Sequence, residues 1–391
     1  MDIIADYTRT AAALLDHVEG GTTDQAPATM TVPVSRYTDP ATWQQEMDLI
    51  FNRLPLMLAM SAELPNPGDY KAMEVMGKPV LITRGKDGKA RAMLNVCTHR
   101  GAHVVNDGKG NCNRFTCIYH GWTYANDGNL IGVADRPKFG DVDKAHHGLT
   151  QLPCDEAAGM IFVILTPGLP IDLRGFLGGM LDDLEHCGFK DWHYLDSREL
   201  VGGNWKIAYD GYLEGYHFAT AHPQTIATRT FSDIMTFEAF GPHLRIGFPQ
   251  VDIAKLRDIP QAQWGTRENN GYDFVRTLFP NVSIFVAPEL CQIAQLLPGP
   301  TPDRNRTILN FISRKAPADD AERDEKMNMI QFLRDVVNDE DYLLGLSVQR
   351  GLDSGAIKHV TFGRNERGNQ YFHKWVDYYL QNDPSLPTPE L

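Results

Sequence analysis

Two short stretches, Cys97-Thr98-His99 and Cys117-Ile118-Tyr119-His120, decide how the first half of this chain folds. Seventeen residues separate them, and each pairs a thiol with an imidazole. Such pairs can converge on one inorganic centre when they lie at the tips of two hairpins. Thiolate and imidazole ligands suit a tetrahedral zinc ion or a [2Fe-2S] cluster, in which two Cys hold one iron and two His hold the other. These residue types alone therefore predict a metal centre and leave the choice of metal open.

Hairpin signals surround these pairs. Short apolar runs at 79–83 and 92–96, and again at 122–124 and 130–133, are joined by loops of Gly, Asp, Asn and Lys. Loops of this composition are typical of tight turns.

Two further features divide the chain. A helix is predicted from the N-cap Asp39 through Pro40 to about Leu54. The segment 166–170, Thr-Pro-Gly-Leu-Pro, has the composition of a linker, so we place a domain boundary near residue 167.

Composition excludes several classes of function. The 391 residues carry a net charge of −13 without any run of Lys or Arg, which argues against nucleic acid or an anionic membrane as a partner. No signal peptide and no apolar run of roughly 18 to 20 residues is present, so we expect a cytoplasmic protein. Six Cys are too few for a disulfide framework in a chain of this length.

A second constellation lies within 204–223, where two His stand five residues apart. Read as one helix, this stretch places Asp210, Glu214 and His217 on one stripe at i, i+4 and i+7. The proline at its end leaves His222 close to the helix terminus. The solvated side of an ordinary helix has the same pattern, so periodicity alone leaves that interpretation open.

A third feature is the long helical pattern between Ala321 and Leu352. Its apolar face consists of Ile330, Leu333, Val337, Leu344 and Val348. Asp341 falls in the middle of this face, where a lone carboxylate is costly unless it is paired or binds a metal. We therefore predict Asp341 as a metal ligand, with the flanking Glu340 as the second choice.

Two signatures resemble a known family. The C-x-H and C-x-x-H pairs, continued by Arg100-Gly101 and Gly121-Trp122, resemble the Rieske motif. They lack the extra Cys that follows each pair in high-potential respiratory Rieske proteins. The sequence N-W-K at 204–206, followed by an acidic residue, Y-H and a second His before Pro, resembles the catalytic signature of Rieske non-haem iron oxygenases. The resemblance is to their large, or alpha, subunits in the aromatic-ring-hydroxylating family.

This resemblance implies the cofactors. A [2Fe-2S] cluster would be held by Cys97, His99, Cys117 and His120. A mononuclear Fe(II) would be held by His217, His222 and a downstream carboxylate, for which helical phase favours Asp341.

The resemblance also implies partners. Glu214 would bridge His217 to His120 of an adjacent subunit in a head-to-tail homotrimer. Electrons would come from NAD(P)H through a separate reductase, because no G-x-G-x-x-G fingerprint follows a strand here. A ferredoxin and a small beta subunit are compatible with this scheme.

The implied fold class is α+β. Residues 1–38 would form an N-terminal segment and 39–167 a β-rich Rieske domain with a leading helix. Residues 168–391 would form the mononuclear iron domain, a curved antiparallel sheet covered by helices.

The expected function is that of a terminal oxygenase component, which uses dioxygen to hydroxylate a hydrophobic, aromatic small molecule. Asp210, Phe218 and Asn281 match family positions near the substrate pocket. Many aromatic-ring dioxygenases have Asp where Glu214 stands, and relatives acting on quaternary amines have Glu. An amine or betaine substrate, demethylated or cleaved at C–N, is therefore the alternative.

Two other classes of protein need only part of these residues. A Rieske electron carrier would leave the residues after 167 unexplained. A zinc-stabilised binding protein would be colourless.

Overall fold

The computed structural model describes residues 2–391 and divides into two compact units. The β-rich unit comprises Phe51–Phe176 and Phe189–Asp191. The large unit comprises the described residues up to Ile50, Leu177–Gly188 and Trp192–Leu391.

The strands of the described residues, in chain order, are β1 Met30–Pro33, β2 Leu56–Met60, β3 Asp69–Val75, β4 Lys78–Arg84, β5 Ala90–Leu94, β6 Gly108–Asn111, β7 Arg114–Thr116, β8 Thr123–Ala125, β9 Leu130–Gly132, β10 Gln151–Leu152, β11 Cys154–Ala157, β12 Met160–Val163, β13 His193–Gly202, β14 Thr236–Phe240, β15 His243–Pro249, β16 Tyr272–Leu278, β17 Val282–Val286, β18 Leu290–Pro298, β19 Asn305–Ser313 and β20 His359–Phe362.

The α-helices are α1 Ile3–Gly20, α2 Ser35–Thr38, α3 Pro40–Glu46, α4 Arg136–Phe139, α5 Leu173–Leu177, α6 Met180–Cys187, α7 Trp205–Asp210, α8 Phe218–Ala221, α9 Asp320–Val336, α10 Leu343–Asp353 and α11 Arg367–Gln381. Two π-helical turns, Met47–Phe51 and Val337–Tyr342, continue α3 and join α9 to α10. Within residues 2–391 no helix combines the length and the apolar character needed to cross a bilayer.

The β-rich unit contains three antiparallel sheets, ordered β10-β5-β4-β3-β6, β11-β12-β2 and β7-β8-β9. Strand β4 pairs with β5 and β8 pairs with β9, so both predicted hairpins are confirmed. Each turn contains a glycine with positive φ, Gly88 at 76° and Gly128 at 84°, a conformation that side chains with a Cβ rarely adopt. The buried core of this unit includes Cys97 and Cys117, so its packing fixes the first predicted site.

The large unit is built on a seven-stranded antiparallel sheet ordered β13-β19-β18-β17-β16-β15-β14. Helix α1 packs on one face, where its apolar side chains form a buried cluster with Tyr272 and Phe274 of β16. Side chains alternate along a strand, so Asp273 and Val275 point to the other face. The sheet therefore presents these two residues on the side away from α1.

The predicted domain boundaries differ from this division. The predicted leading helix is α3, and it belongs to the large unit because the Glu46 carboxylate bonds to Lys206 Nζ at 2.6 Å and to Trp205 Nε1 at 2.7 Å. The chain also crosses between the units near Leu177, ten residues beyond the predicted boundary. Asp39 caps α3 as predicted, accepting from Thr42 N at 2.9 Å.

The predicted continuous helix over 204–223 is wrong. Asn204 caps α7 as expected, but α7 ends at Asp210 and a separate short helix, α8, begins at Phe218. Between them the Glu214 carboxylate accepts hydrogen bonds from the backbone N–H groups of Tyr216 and His217. Local side-chain bonds of this kind compete with the helical ladder. The polar stripe predicted from periodicity therefore does not exist as a helix face.

Candidate metal centres and substrate cavity

The two Cys/His stretches form matching turns. The carbonyl of Cys97 accepts from Gly101 N and that of Cys117 accepts from Gly121 N, both at 2.9 Å. Both glycines have positive φ, 79° and 70°, which fits the Arg-Gly and Gly-Trp continuations of the motif. Each turn thus holds its buried Cys beside the following His.

The two His rings meet at this site. The ring centroids of His99 and His120 lie 4.6 Å apart, and His99 stacks on Trp122 at 5.0 Å. The His99 Nδ1 atom is buried without a hydrogen-bond partner within residues 2–391, which is costly for an imidazole nitrogen unless it ligates a metal. Two buried thiols with an orphaned imidazole nitrogen are a donor set that fits a cluster.

One hydroxyl contacts a ligand sulfur. Tyr124, which is fully buried, places its hydroxyl 3.2 Å from Cys97 Sγ and 3.0 Å from the backbone nitrogen of Thr98. Hydrogen bonds to ligand sulfurs tune the reduction potential of iron–sulfur centres. Tyr124 was not among the residues predicted from sequence, because nothing in its neighbourhood marks it as different from an ordinary core tyrosine.

The second site brings together His217, His222 and Asp341. Their ligand atoms all lie within 4.8 Å of one another. The Asp341 Oδ1 atom lies 2.9 Å from His222 Nε2 and 3.5 Å from His217 Nε2. Two imidazoles and one carboxylate on one side of a site fit a mononuclear ferrous ion with open coordination positions.

The other nitrogen of each ring is also held. Glu214 contacts His217 Nδ1, and Glu340 Oε2 lies 2.5 Å from His222 Nδ1. A carboxylate in this position fixes the tautomer and the orientation of a metal-binding imidazole. Sequence reasoning ranked Glu340 only as a substitute ligand. The structure places it behind a ligand instead, one residue before Asp341.

Hydrogen bonds between the His rings and the carboxylates shift the pKa values of His217 and Asp341. Burial lowers the pKa of His217, but its hydrogen bonds to Asp341 and Glu214 raise it to about 10. Burial raises the pKa of Asp341, but hydrogen bonds from His217 and His222 bring it below its ordinary value. Without a metal, His217 therefore carries a proton that balances a carboxylate. A divalent ion would displace that proton, because it binds neutral imidazole.

An irregular turn of the backbone carries Asp341 into the group with His217 and His222. It lies in the π-helical turn Val337–Tyr342, which is wider than an α-helical turn and interrupts the regular phase between α9 and α10. Such turns recur at functional sites. Asp339, two residues earlier, is exposed.

A cavity of about 610 Å³ opens beside this group within the large unit. Apolar side chains dominate its wall, including Ile207, Phe218, Phe248, Val275, Phe285, Leu333, Val336 and Val337. His217, His222 and Asp341 also line it. A molecule in this cavity would therefore contact the metal group directly.

Of the three residues predicted near substrate, only Phe218 lines this cavity. Asp210 bonds instead to Tyr37 Oη at 2.9 Å and to His373 Nε2 at 3.1 Å. Asn281 is buried at the turn between β16 and β17, where its backbone pairs with Leu278 and Leu296. The end of α7 at Asp210 explains the first difference, since the predicted stripe assumed that the helix continues.

Two family models match the chain. The model for the ring hydroxylating alpha subunit (catalytic domain) matches residues 184–382, and that for the Rieske [2Fe-2S] domain matches residues 55–146. The chain belongs to the ring-hydroxylating oxygenase alpha subunits. It is thus a Rieske non-haem iron oxygenase with a [2Fe-2S] cluster and a mononuclear iron, as predicted. The electron-carrier and zinc-protein alternatives do not fit this alpha subunit.

Curated relatives of this alpha subunit include a carnitine monooxygenase and an aromatic dioxygenase. It is 29% identical over 364 residues to the carnitine monooxygenase oxygenase subunit of Escherichia coli K12, covering 88% of this chain and 92% of that one. It is 32% identical over 199 residues to the anthranilate 1,2-dioxygenase large subunit of Acinetobacter baylyi, covering 49% of this chain and 42% of that one.

Solved structures show the same fold. A quaternary ammonium Rieske monooxygenase in complex with L-carnitine matches with a TM-score of 0.76 and 24% identity, covering 90% of this chain and 96% of that one. Naphthalene 1,2-dioxygenase from Rhodococcus sp. bound to indole matches with a TM-score of 0.74 and 21% identity, covering 96% and 99%.

Proposed function

We propose that this oxygenase acts on a hydrophobic ring compound. The observation that carries the proposal is the composition of the cavity wall. Apolar side chains form most of this wall, and the three ligand residues form part of it. A volume of about 610 Å³ is in the range of sites for small organic molecules. Phe332 and Leu344 line the cavity although 53% and 51% of their surface is exposed, so they mark its opening to solvent.

The residues of the site have separate roles in metal binding, ligand orientation and substrate contact. When bound, the cluster supplies electrons singly and the mononuclear iron provides the position at which dioxygen is activated. His217, His222 and Asp341 would hold that iron, and Glu214 and Glu340 would keep both imidazoles oriented. Phe218 and Phe248, with ring centroids 5.4 Å apart, would hold the ring beside it and exclude water.

Members of this family take electrons from a reductase or a ferredoxin. We propose a head-to-tail homotrimer here, in which Glu214 connects His217 to His120 of the adjacent subunit. The support is the pairing of Glu214 with the Nδ1 side of His217, which leaves Nε2 for the metal. The cytoplasmic location, a ferredoxin and a small beta subunit stay predictions.

A quaternary amine is the second candidate. The likeness to the carnitine monooxygenase extends over most of both chains, and aromatic rings such as Phe218 and Phe248 can bind a quaternary ammonium. Two considerations favour the ring compound. Of the three carboxylates that line the cavity, Glu214 and Asp341 are engaged by His217 and His222, which leaves only Asp273 to meet a cation. The remaining wall is mainly apolar.

An oxygen-uptake assay separates the two candidates. The enzyme, loaded with iron and cluster and supplied with a reductase, is tested against a panel of one- to three-ring aromatic compounds and a panel of carnitine, γ-butyrobetaine and glycine betaine. Oxygen uptake is compared with product formed and with hydrogen peroxide released. Hydroxylated ring products with little peroxide support the proposal. Product formed only from the amine panel would replace it with the second candidate.

A further inference from the structure

Three polar or charged side chains that play no part in the metal site line the cavity. They are Asp273, Arg229 and Gln292. Sheet register places two of them on one face, because Phe248 lies opposite Asp273, Val275 opposite Phe285, and Phe285 opposite Gln292. Asp273 lies across two aromatic rings from the metal group. His222 contacts Phe218 at 5.9 Å between centroids, Phe218 contacts Phe248, and Phe248 adjoins Asp273.

Only one of the two carboxylate oxygens of Asp273 has a hydrogen-bond partner among the described residues. Its Oδ2 atom accepts from Gln250 Nε2 at 2.9 Å, and Gln250 is itself fixed by accepting from Gly271 N at 3.0 Å. Among the described residues nothing donates a hydrogen bond to Asp273 Oδ1. In a mainly apolar cavity, a polar group in the wall can orient a ligand.

We propose that Asp273 selects substrates that carry an O–H or N–H donor on the end of the ring system remote from the iron. This inference rests on the proposed function and names its substrate class more narrowly. The donor would bond to Asp273 Oδ1, and the carbon to be oxidised would then lie at the metal end. Asp273 is a specificity-determining residue in this scheme and takes no part in the chemical step.

The ionisation of Asp273 supports this role. Its pKa is raised to about 6, mainly by burial. The hydrogen bond from Gln250 and the charge of Arg229 lower the pKa, and the charges of Glu268 and Asp252 raise it. The carboxylate is thus less well solvated than an exposed one. A hydrogen bond donated by the ligand would favour the charged form, and hydrogen bonds to charged groups are stronger than neutral ones.

The test uses matched pairs of probes with the metal-loaded full chain. Indole and indene differ by an N–H in place of a methylene group, and 2-naphthol and naphthalene differ by one hydroxyl. Binding is measured by equilibrium dialysis at pH 7.5 for the wild type, Asp273→Leu and Asp273→Asn. Asp258→Asn is the control, because Asp258 is exposed and lies outside the cavity lining.

The wild type should bind each donor-bearing probe at least about 10-fold more tightly than its partner, as a hydrogen bond to a charged group is worth this much. Asp273→Leu should abolish the preference and leave the affinity for indene and naphthalene equal or higher. Asp258→Asn should behave as the wild type. A preference that survives in Asp273→Leu, or no preference in the wild type, would overturn the inference.

A third probe, 2-naphthoate, tests whether the cavity binds an anion at this position instead of a hydrogen-bond donor. If it binds more tightly than 2-naphthol, Arg229 reads an anion at this end of the cavity and the assignment to Asp273 is wrong. The outcomes also separate this inference from the proposed function. Ring probes that bind and are oxidised without discrimination overturn only the role of Asp273. Failure of every ring probe to bind overturns the proposed function with it.

Discussion

The Nδ1 atom of His222 lies 2.5 Å from Glu340 Oε2, while Nε2 of the same ring lies 2.9 Å from Asp341 Oδ1. Two consecutive residues of one π-helical turn therefore contact opposite sides of one imidazole. One carboxylate orients the ring and the other shares the metal with it.

Replacing Glu340 by Gln tests whether Glu340 orients the His222 ring. We expect iron affinity at the mononuclear site to fall by about 10- to 100-fold, because removal of such a supporting carboxylate typically has this effect. The visible spectrum of the cluster should not change. Iron binding is measured by titration of the apoprotein with ferrous ion. Asp339→Asn is the matched control, since Asp339 is the exposed neighbour in the same turn. Equal loss in both variants would contradict a specific role for Glu340.

Glu214→Gln tests the proposed bridge. At saturating ferrous ion both metals should remain bound, because Glu214 is not a ligand, although iron affinity should fall as in Glu340→Gln, since Glu214 supports His217 in the same way. Product formation should fall by about 100-fold or become uncoupled. The cause would be slow electron transfer to His217 from the adjacent subunit. Stopped-flow oxidation of the pre-reduced cluster in the presence of substrate measures that step. Wild-type rates of cluster oxidation and turnover would exclude the bridge.

Tyr124→Phe should lower the reduction potential of the cluster. The hydroxyl lies 3.2 Å from Cys97 Sγ, and a hydrogen bond to a ligand sulfur stabilises the reduced form. Loss of one bond of about 0.5 to 1.5 kcal/mol corresponds to roughly 20 to 60 mV for one electron. A redox titration followed by circular dichroism measures the shift. An unchanged or higher potential would show that the hydroxyl does not donate to the sulfur.

Asp273→Asn should stabilise the protein at neutral pH. The folded pKa of about 6 exceeds the unfolded value near 3.9, so the cost of ionising this carboxyl is absent below about pH 4 and grows as the pH rises through 6. We expect a rise in Tm of about 2 °C at pH 8 and a rise of less than half as much at pH 4.5. Scanning calorimetry at both values checks it. Destabilisation at pH 8 would mean that the carboxylate is well solvated or paired.

Much of the metal chemistry could be predicted because it depends on residue types at short spacings. Cys97, His99, Cys117 and His120 lie in two turns whose glycines the motif itself contains. Asp341 could be located because an isolated carboxylate on an apolar face needs a reason to be there.

The substrate end could not be predicted in the same way. Periodicity assumes a regular helix, and the helix after Asp210 is broken by the hydrogen bonds that Glu214 makes to the backbone. Phe248, Asp273 and Gln292 share one face only through the register of strands far apart in the sequence. Local sequence patterns do not specify which distant strands pair or in what register, so these residues were not among the predicted ones.

The metal content of the wild type and of His217→Ala tests the central claim, that two separate iron centres serve one oxygenase. We expect about three irons and about two acid-labile sulfides per chain in the wild type. His217→Ala should retain about two irons, both sulfides and the brown cluster spectrum, and should lose all turnover. Loss of the cluster spectrum together with the mononuclear iron, or a wild type with only two irons and full activity, would contradict the account.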